Sequence, residues 1–482
     1  MRFWLGQRLR MIALAGGLIG VSVSAVAGEI PTPLEGRLDA VLKADPLGSA
    51  RVAALVVGEG GNSVLYAREP DRLLLPASNM KLLTALAALD ALGPSHRFET
   101  LVGADRAPGA AGVVGEISVR GGGDPALNSE DWWRLAADLR REGLVRVEGD
   151  IVVDGAYFDG EYWHPAWGEV SSRAFHAPVA GLSANYGSFF VRVAPGAAEG
   201  DPLDVTLDPP LAYLVVENAG TTAGPKAQPS LRIVAGKASD ARETVKVSGR
   251  LRAGDRPRNF ARSVRDPVLY AGALFKLQLE ALGIEVGGRV RRGAAEHPVE
   301  LLRYSGRPLS EIVRLFLKYS NNAMAEGLVK ALGVEAEKSP GSWSSGLNAM
   351  RSRLDALGVL GSGALIVDGS GLAAENRLSP RILVAVLARA AQSFRYGPEF
   401  VAALPIGGRD GTLEERAAAA GDGLRAKTGL LGAQRALALS GFVQRADGET
   451  VIFSLLVNGY AGDVEPAMSA VDGWVEALIQ VD

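Results

Sequence analysis

The sequence predicts an α/β protein whose main domain is assembled from both ends of the chain, with a large strand-rich insertion between the two halves. Three observations predict it. Helical and hairpin patterns alternate over the first hundred residues or so. Short strand-like runs separated by Gly, Asp and Pro then persist to about residue 298. Helical patterns return after that, and the chain closes on two strands and a helix.

In order, PTPLEGRLDAVLKA reads as a short helix. RVAALVVG and NSVLYARE alternate around the turn EGGN as a β-hairpin. LLLPASNMKLLTALAAL, Leu73 to Leu89, reads as a proline-started helix with an apolar stripe that stops at Gly93-Pro94. The strand-like middle includes GEISVRGGGDPAL, VEGDIVVDGAYFDG and ETVKVSGRLRAG, and is interrupted by the helices DWWRLAADLRREG and DPVLYAGALFKLQLEALG. LSEIVRLFLKYSNNAMAEGLVKALG, SWSSGLNAMRSRLDALG and SPRILVAVLARAAQSF carry apolar residues at helical spacing. RALALSGFVQ and TVIFSLLVNGY are the closing strands.

The composition removes several classes of function. The 482 residues are 48% hydrophobic and 22% charged, and the length suggests two or three domains. Basic (51) and acidic (54) residues are mixed along the chain for a net charge of −3, so no basic nucleic-acid surface is expected. The absence of cysteine excludes disulfides, thiol catalysis and cysteine-held metals. His96, His164, His176 and His297 lack ligand spacing and read as packing or surface residues, so no metal or cofactor is expected.

The N-terminus reads as a leader. Three arginines in MRFWLGQRLR precede the apolar MIALAGGLIGVSVS and the small-residue site Ala25-Val26-Ala27, so residues 1–27 are expected to be a cleaved signal peptide. No later segment is long and apolar enough to span a bilayer, and an exported protein without a membrane span is expected.

Ser78 and Lys81 lie at i and i+3, on one face of a first helical turn. There the helix dipole favours developing negative charge, and a desolvated lysine can serve as a base for a serine nucleophile. The same residues also suit a helix cap and a surface charge. SxxK alone is weak, expected about once by chance in a chain this long. Two later elements matter more. Ser320-Asn321-Asn322 breaks a helical pattern, and Lys427-Thr428-Gly429 lies on a strand-like segment where the glycine admits close approach to the backbone.

SxxK, SxN and KTG in that order resemble the triple signature of penicillin-binding proteins and serine β-lactamases. The 242 residues between Ser78 and Ser320 are more than a β-lactamase needs. That spacing, with GGGDPAL, GDIVVDGAYF, DGSGL and LPIGGRDGTL, makes the chain similar to the low-molecular-mass class C penicillin-binding proteins, the D-alanyl-D-alanine carboxypeptidase/endopeptidases, over essentially its whole mature length.

The resemblance implies a transpeptidase-like catalytic domain from residues 28–96 and 299–482, an inserted domain II from 97–175 and 246–298, and a domain III from 176–245. It implies a periplasmic serine D,D-peptidase acting on peptidoglycan stem peptides and inhibited covalently by β-lactams. Ser78 would form the acyl-enzyme, with Lys81 taking its proton. Ser320 would relay a proton to the leaving amine, and Asn322 would hold Lys81 and the substrate amide. Lys427, Thr428 and Gly429 would bind the substrate's terminal carboxylate side, and the N–H groups of Ser78 and Leu430 would form the oxyanion hole. Leu430 departs from the hydroxyl residue often found after KTG, which removes one aid to carboxylate binding and favours endopeptidase work. Asp154 would meet the ammonium group of the substrate's diamino acid; it also reads as a turn residue in VVDG. Asp124, Asp368 and Asp410 read as loop-shaping residues, and Tyr162, Trp163 and Trp167 as packing or a sugar platform. The competing readings are a β-lactamase and a non-catalytic peptidoglycan-binding protein of the same fold.

Overall fold

The computed structural model describes residues 32–61, 63–239, 242–296 and 298–480; the expected signal peptide lies outside them. The hairpin strands Arg51–Gly58 and Val64–Arg68 join three strands from the other end of the chain. The resulting antiparallel sheet runs, edge to edge, Leu424–Leu431, Ala436–Gln444, Thr450–Asn458, Arg51–Gly58, Val64–Arg68. Its three inner strands are buried on both faces, and the period-2 alternation of a strand divides them between two cores. Val52, Ala54 and Val56 face a core with Trp474 and Leu38 from the two terminal helices, Val464–Ile479 and Pro33–Lys43. Ala53, Leu55 and Val57 face the larger helical core.

At the centre of that helical core lies the helix Met80–Leu92, surrounded by the helices Leu309–Tyr319, Asn322–Glu337, Trp343–Ala356 and Pro380–Ala391. Every residue from Met80 to Leu89 is buried, so the expected apolar stripe is in fact a helix buried all round. It ends where the sequence suggests, at Gly93 with φ +87°. Its start differs from the cap reading: Ser78 lies inside a 3-10 turn, Ala77–Asn79, preceding the helix, and makes no side-chain cap.

The strand-rich middle builds a second five-stranded sheet, ordered Val290–Arg292, Ile151–Asp154, Ile117–Arg120, Arg97–Ala104, Val299–Pro308. The helices Ser129–Arg141 and Pro267–Ala281 pack on it. Of the three three-stranded sheets among the described residues, one is a short set of 285–286, 146–147 and 113–114, and two are longer: 214–223 with 242–252 and 230–239, and 258–263 with 188–194 and 204–208. They share the core containing Trp132, Phe275 and Phe189. The segment from Tyr157 to His176 ties this body to the helical core. Phe158 bridges Gly341, Lys330 reaches Asp159 and the carbonyl of Glu161 at 2.5 Å, and Trp167 is buried against Asp368. Trp167 therefore serves packing. Tyr162 and Trp163 are held by Arg292 and Arg265 stacked on their rings.

Asp124 is 4% exposed and accepts the N–H of Ala126 at 2.8 Å. Burial pushes its carboxyl up to about 7, against the pull of that N–H. The fold thus favours the protonated acid. The associated stability is full below the unfolded value near 3.8 and is lost as pH rises through about 7. Asp124→Asn is expected to flatten the fall of Tm between pH 4 and pH 8, with thermal melts of both proteins as the check; parallel curves would contradict it.

Candidate active site

The elbow before the first buried helix is built against steric preference. Ala77 has φ +45°, a left-handed conformation costing a non-glycine residue about 1–3 kcal/mol. Two glycines make room for it. A Cβ on Gly371, itself at φ +81°, would lie 1.8 Å from the Ala77 carbonyl oxygen. A Cβ on Gly429 would lie 3.0 Å from the Pro76 carbonyl oxygen and from the Ala77 Cβ. Asn458 holds Leu75 through both its N–H and its carbonyl (2.9 and 3.2 Å), and the Asn79 amide donates to the Lys427 carbonyl at 2.9 Å. The Ser78 turn is thereby tied to the edge strand Leu424–Leu431.

Lys81, one residue into the helix, is fully buried. Its Nζ lies 3.0 Å from Ser78 Oγ, 2.7 Å from Asn322 Oδ1 and 2.7 Å from the Ser370 carbonyl oxygen. The Asn322 amide is oriented from its other end, where Nδ2 donates to the Phe175 carbonyl at 2.9 Å. Burial lowers the Lys81 amine to about 7, with the Asp368 and Glu326 carboxylates opposing.

Ser320 terminates the helix Leu309–Tyr319 in the left-handed region (φ +56°), and Asn321 then caps the helix Asn322–Glu337 by accepting the Met324 N–H at 2.9 Å. This break, which the polar triplet suggests, presents Ser320 Oγ to Lys427 Nζ at 2.9 Å. Lys427 is fully buried and also donates to the Thr428 carbonyl at 2.8 Å. Burial holds its amine well below its ordinary value, and the positive charges of Lys81 and Arg416 push the same way. Thr428 Oγ1 contacts Thr412 Oγ1 at 2.7 Å, on a loop braced by the Lys318–Asp410 pair at 2.6 Å.

Leu430 sits on the outer edge strand with its side chain 47% exposed. On that strand the Ala426 N–H turns outward to the Pro405 carbonyl, and the Leu424 carbonyl accepts from the Gly407 N–H. The alternation of an antiparallel strand turns the Leu430 N–H outward too, along the unpaired edge. Lys81 thus joins Ser78 and Asn322, Lys427 joins Ser320 and Thr428, and Asn79, next to Ser78, ties the two groups together through the Lys427 carbonyl, with Gly429 and Leu430 following on the same strand. Asp154 stands apart. Its carboxylate accepts the N–H groups of Ala156 (2.9 Å) and Ala295 (3.0 Å), faces Arg120 at 3.5 Å, and lines a cavity of about 380 Å³ with Tyr162 and Arg292.

Sequence reasoning missed Glu326. This fully buried carboxylate accepts the N–H groups of Gly369 (3.0 Å) and Ser370 (2.7 Å) and the Trp343 indole N–H (2.9 Å). Its signal was available: Asn322, Glu326 and Lys330 are spaced four apart on a helix otherwise apolar as far as Val334, which puts a polar line on one face. The Asp368 carboxylate accepts N–H groups from Gly371, Leu372 and Ala373, the Asn376 amide and the Trp167 indole, as expected of a residue that shapes a loop.

Residues 34–478 match the model of the D-Ala-D-Ala carboxypeptidase 3 (S13) family. The chain is 35% identical over 468 residues to a D-alanyl-D-alanine carboxypeptidase of Actinomadura sp. strain R39, covering 92% of this chain and 85% of that protein. It is 27% identical over 472 residues to the D-alanyl-D-alanine carboxypeptidase DacB of Haemophilus influenzae, covering 95% of each. In structure it is similar to penicillin binding protein 4 of Haemophilus influenzae, with TM-score 0.79 and 24% identity over 92% of this chain and 99% of that one. The last likeness establishes the penicillin-binding-protein fold expected from the motifs.

Gly371→Ala places a Cβ where the Ala77 carbonyl lies and demands positive φ of alanine. A loss of roughly 2–4 kcal/mol is expected, read by denaturant unfolding. Wild-type stability in this variant would contradict the glycine's role at the elbow.

Proposed function

The chain belongs to the D-Ala-D-Ala carboxypeptidase 3 (S13) family, as a serine-type enzyme of the low-molecular-mass class C penicillin-binding proteins, and from that premise we propose how its own residues carry the reaction. Ser78 Oγ attacks the carbonyl of the D-Ala-D-Ala bond while its proton passes to Lys81 Nζ. The bond to the leaving amine breaks with a proton delivered through Ser320, leaving an acyl-enzyme on Ser78. Water then hydrolyses the ester. On a free stem peptide this is carboxypeptidase action; on a cross-link between D-Ala and a diamino acid it is endopeptidase action.

One observation carries the assignment of base and nucleophile. A neutral lysine amine has two N–H donors and one lone pair. Around Lys81, the Asn322 Oδ1 and the Ser370 carbonyl oxygen only accept, and they use both N–H groups. The third contact is the Ser78 hydroxyl at 3.0 Å, to which Nζ donates when charged; in the neutral amine that direction is left to the lone pair, which then faces the proton it is to remove. The lowered basicity of the buried amine makes that neutral form available near neutral pH.

The remaining roles follow from place and charge. The N–H groups of Ser78 and Leu430 are the oxyanion donors, one at the start of the helical segment and one on the open strand edge. Lys427 and Thr428 receive the substrate's terminal carboxylate, which would bring a negative charge to the buried Lys427 amine. Leu430 adds no hydroxyl there, and this favours cross-linked over free-ended peptides. Asp154 is the carboxylate for the diamino acid's ammonium group, in the lining of the cavity it shares with Tyr162 and Arg292. β-Lactams acylate Ser78 as substrate mimics, and the leader expected at residues 1–27 supports action in the periplasm.

Ser78→Ala is expected to remain folded and lose covalent labelling by a fluorescent penicillin; persistent labelling would refute the nucleophile. Wild-type acylation is expected to rise with pH about a midpoint near 7, because only neutral Lys81 accepts the proton. A rate independent of pH from 5.5 to 8.5 would contradict the base. Digestion of monomeric and cross-linked muropeptides is expected to give a higher kcat/KM on the cross-link. A clear preference for the monomer would overturn the reading of Leu430.

A further inference from the structure

The loop that supplies the third partner of Lys81 is held peptide by peptide. The Gly369–Ser370 peptide has its carbonyl on Thr84 Oγ1 at 2.7 Å and its N–H on Glu326 at 2.7 Å. The next peptide, Ser370–Gly371, has its carbonyl on Lys81 Nζ and its N–H on Asp368, both at 2.7 Å. A peptide is planar, so fixing one end of each unit fixes the other. Thr84 lies on the same helix as Lys81, and Glu326 lies one turn beyond Asn322 on the helix that supplies Lys81's second partner. Glu326 thus locks the loop to the two helices on which the reacting groups stand. Its third contact is the Trp343 indole at 2.9 Å, so all three partners are donors that favour the carboxylate, while burial and the neighbouring Asp368 push its acid up to about 7.

We propose that Glu326 is a positioning residue for the reaction: its carboxylate sets the Ser370 carbonyl against Lys81, so that the amine's lone pair is directed at Ser78. It touches neither the substrate nor Ser78, and acts through the loop and through its charge. The inference rests on the reading of Lys81 as the base.

The charged groups facing Lys81 are Glu326 from the helix Asn322–Glu337, Asp368 from the loop and Lys427 from the edge strand. Those facing Glu326 are Asp368, Lys81 and Lys330, the last held 3.7 Å over the Trp343 ring and paired with Asp159. Removing the Glu326 charge leaves Asp368 as the only carboxylate opposing the desolvation of Lys81 among these groups. The amine then loses its proton at lower pH.

The test measures the pH dependence of acylation by a fluorescent penicillin in wild type, E326Q/W343F, W343F, E326A and Lys81→Met, alongside their melting temperatures. Glutamine keeps an oxygen for the two backbone N–H groups, and phenylalanine removes the indole donor that its amide would oppose. In E326Q/W343F the acid limb is expected to move down by roughly one pH unit relative to W343F. In E326A, which also loses the anchor, the plateau rate is expected to fall about 10- to 100-fold. If E326A does not fold, the limb of the double variant decides. A purely structural residue would lower Tm and leave the limb at the W343F position, and that result overturns the proposal. Lys81→Met separates the two readings: loss of acylation there, with an unmoved limb in E326Q/W343F, sinks the Glu326 role alone. Retained acylation in Lys81→Met sinks the base itself.

Discussion

Burying the amine of Lys81 among oxygen acceptors is the constraint on which the rest of the site depends. A lone ammonium in such surroundings is costly, and the protein answers in two ways. It lets the amine lose its proton easily, and it surrounds it with partners that each come from a different element: Ser78 from the elbow, Asn322 from a helix start, Ser370 from a loop. No single element could supply that set. The packing of the helix Met80–Leu92 on all sides is what allows several others to converge on its first turn.

Each converging element is itself held by a second contact. The segment Tyr157–His176 reaches these elements at two such points, where the Phe175 carbonyl orients Asn322 and the Trp167 indole meets Asp368. Lys330 extends the same polar line outward to Asp159. The body that carries Asp154 is therefore linked to the elements around Lys81 by hydrogen bonds of the segment Tyr157–His176.

How much of this was legible in the sequence divides along the range of the interaction. The triplets SxxK, SNN and KTG could be read because the residue types and their local spacing carry the chemistry, and the helix break at Ser320 followed from ordinary capping preferences. The split sheet was legible from alternation at both chain ends. The 3-10 elbow was not. Its left-handed Ala77 is enforced by Gly371 and Gly429, about three hundred residues away in sequence, and nothing in LLLPASNMKLL announces it. The burial of Lys81 on all sides was likewise a property of packing, which periodicity understated. Asp154 could be named from its motif, but its partners Arg120 and Ala295 come from a neighbouring strand and a distant loop. Glu326 was legible and overlooked: a charge on an apolar helix face, one turn from a motif asparagine, invites a buried role.

In the proposed reaction Lys81 is a neutral amine near neutral pH, held with its lone pair toward Ser78. The most direct test is a titration of lysine side chains labelled with 13C and 15N, observed by NMR and assigned with Lys81→Met. The chain has ten lysines, so the resonances are few enough to separate. The account requires the Lys81 signal to titrate with a midpoint near 7. A Lys81 that stays protonated up to its ordinary value near 10.5 would contradict it.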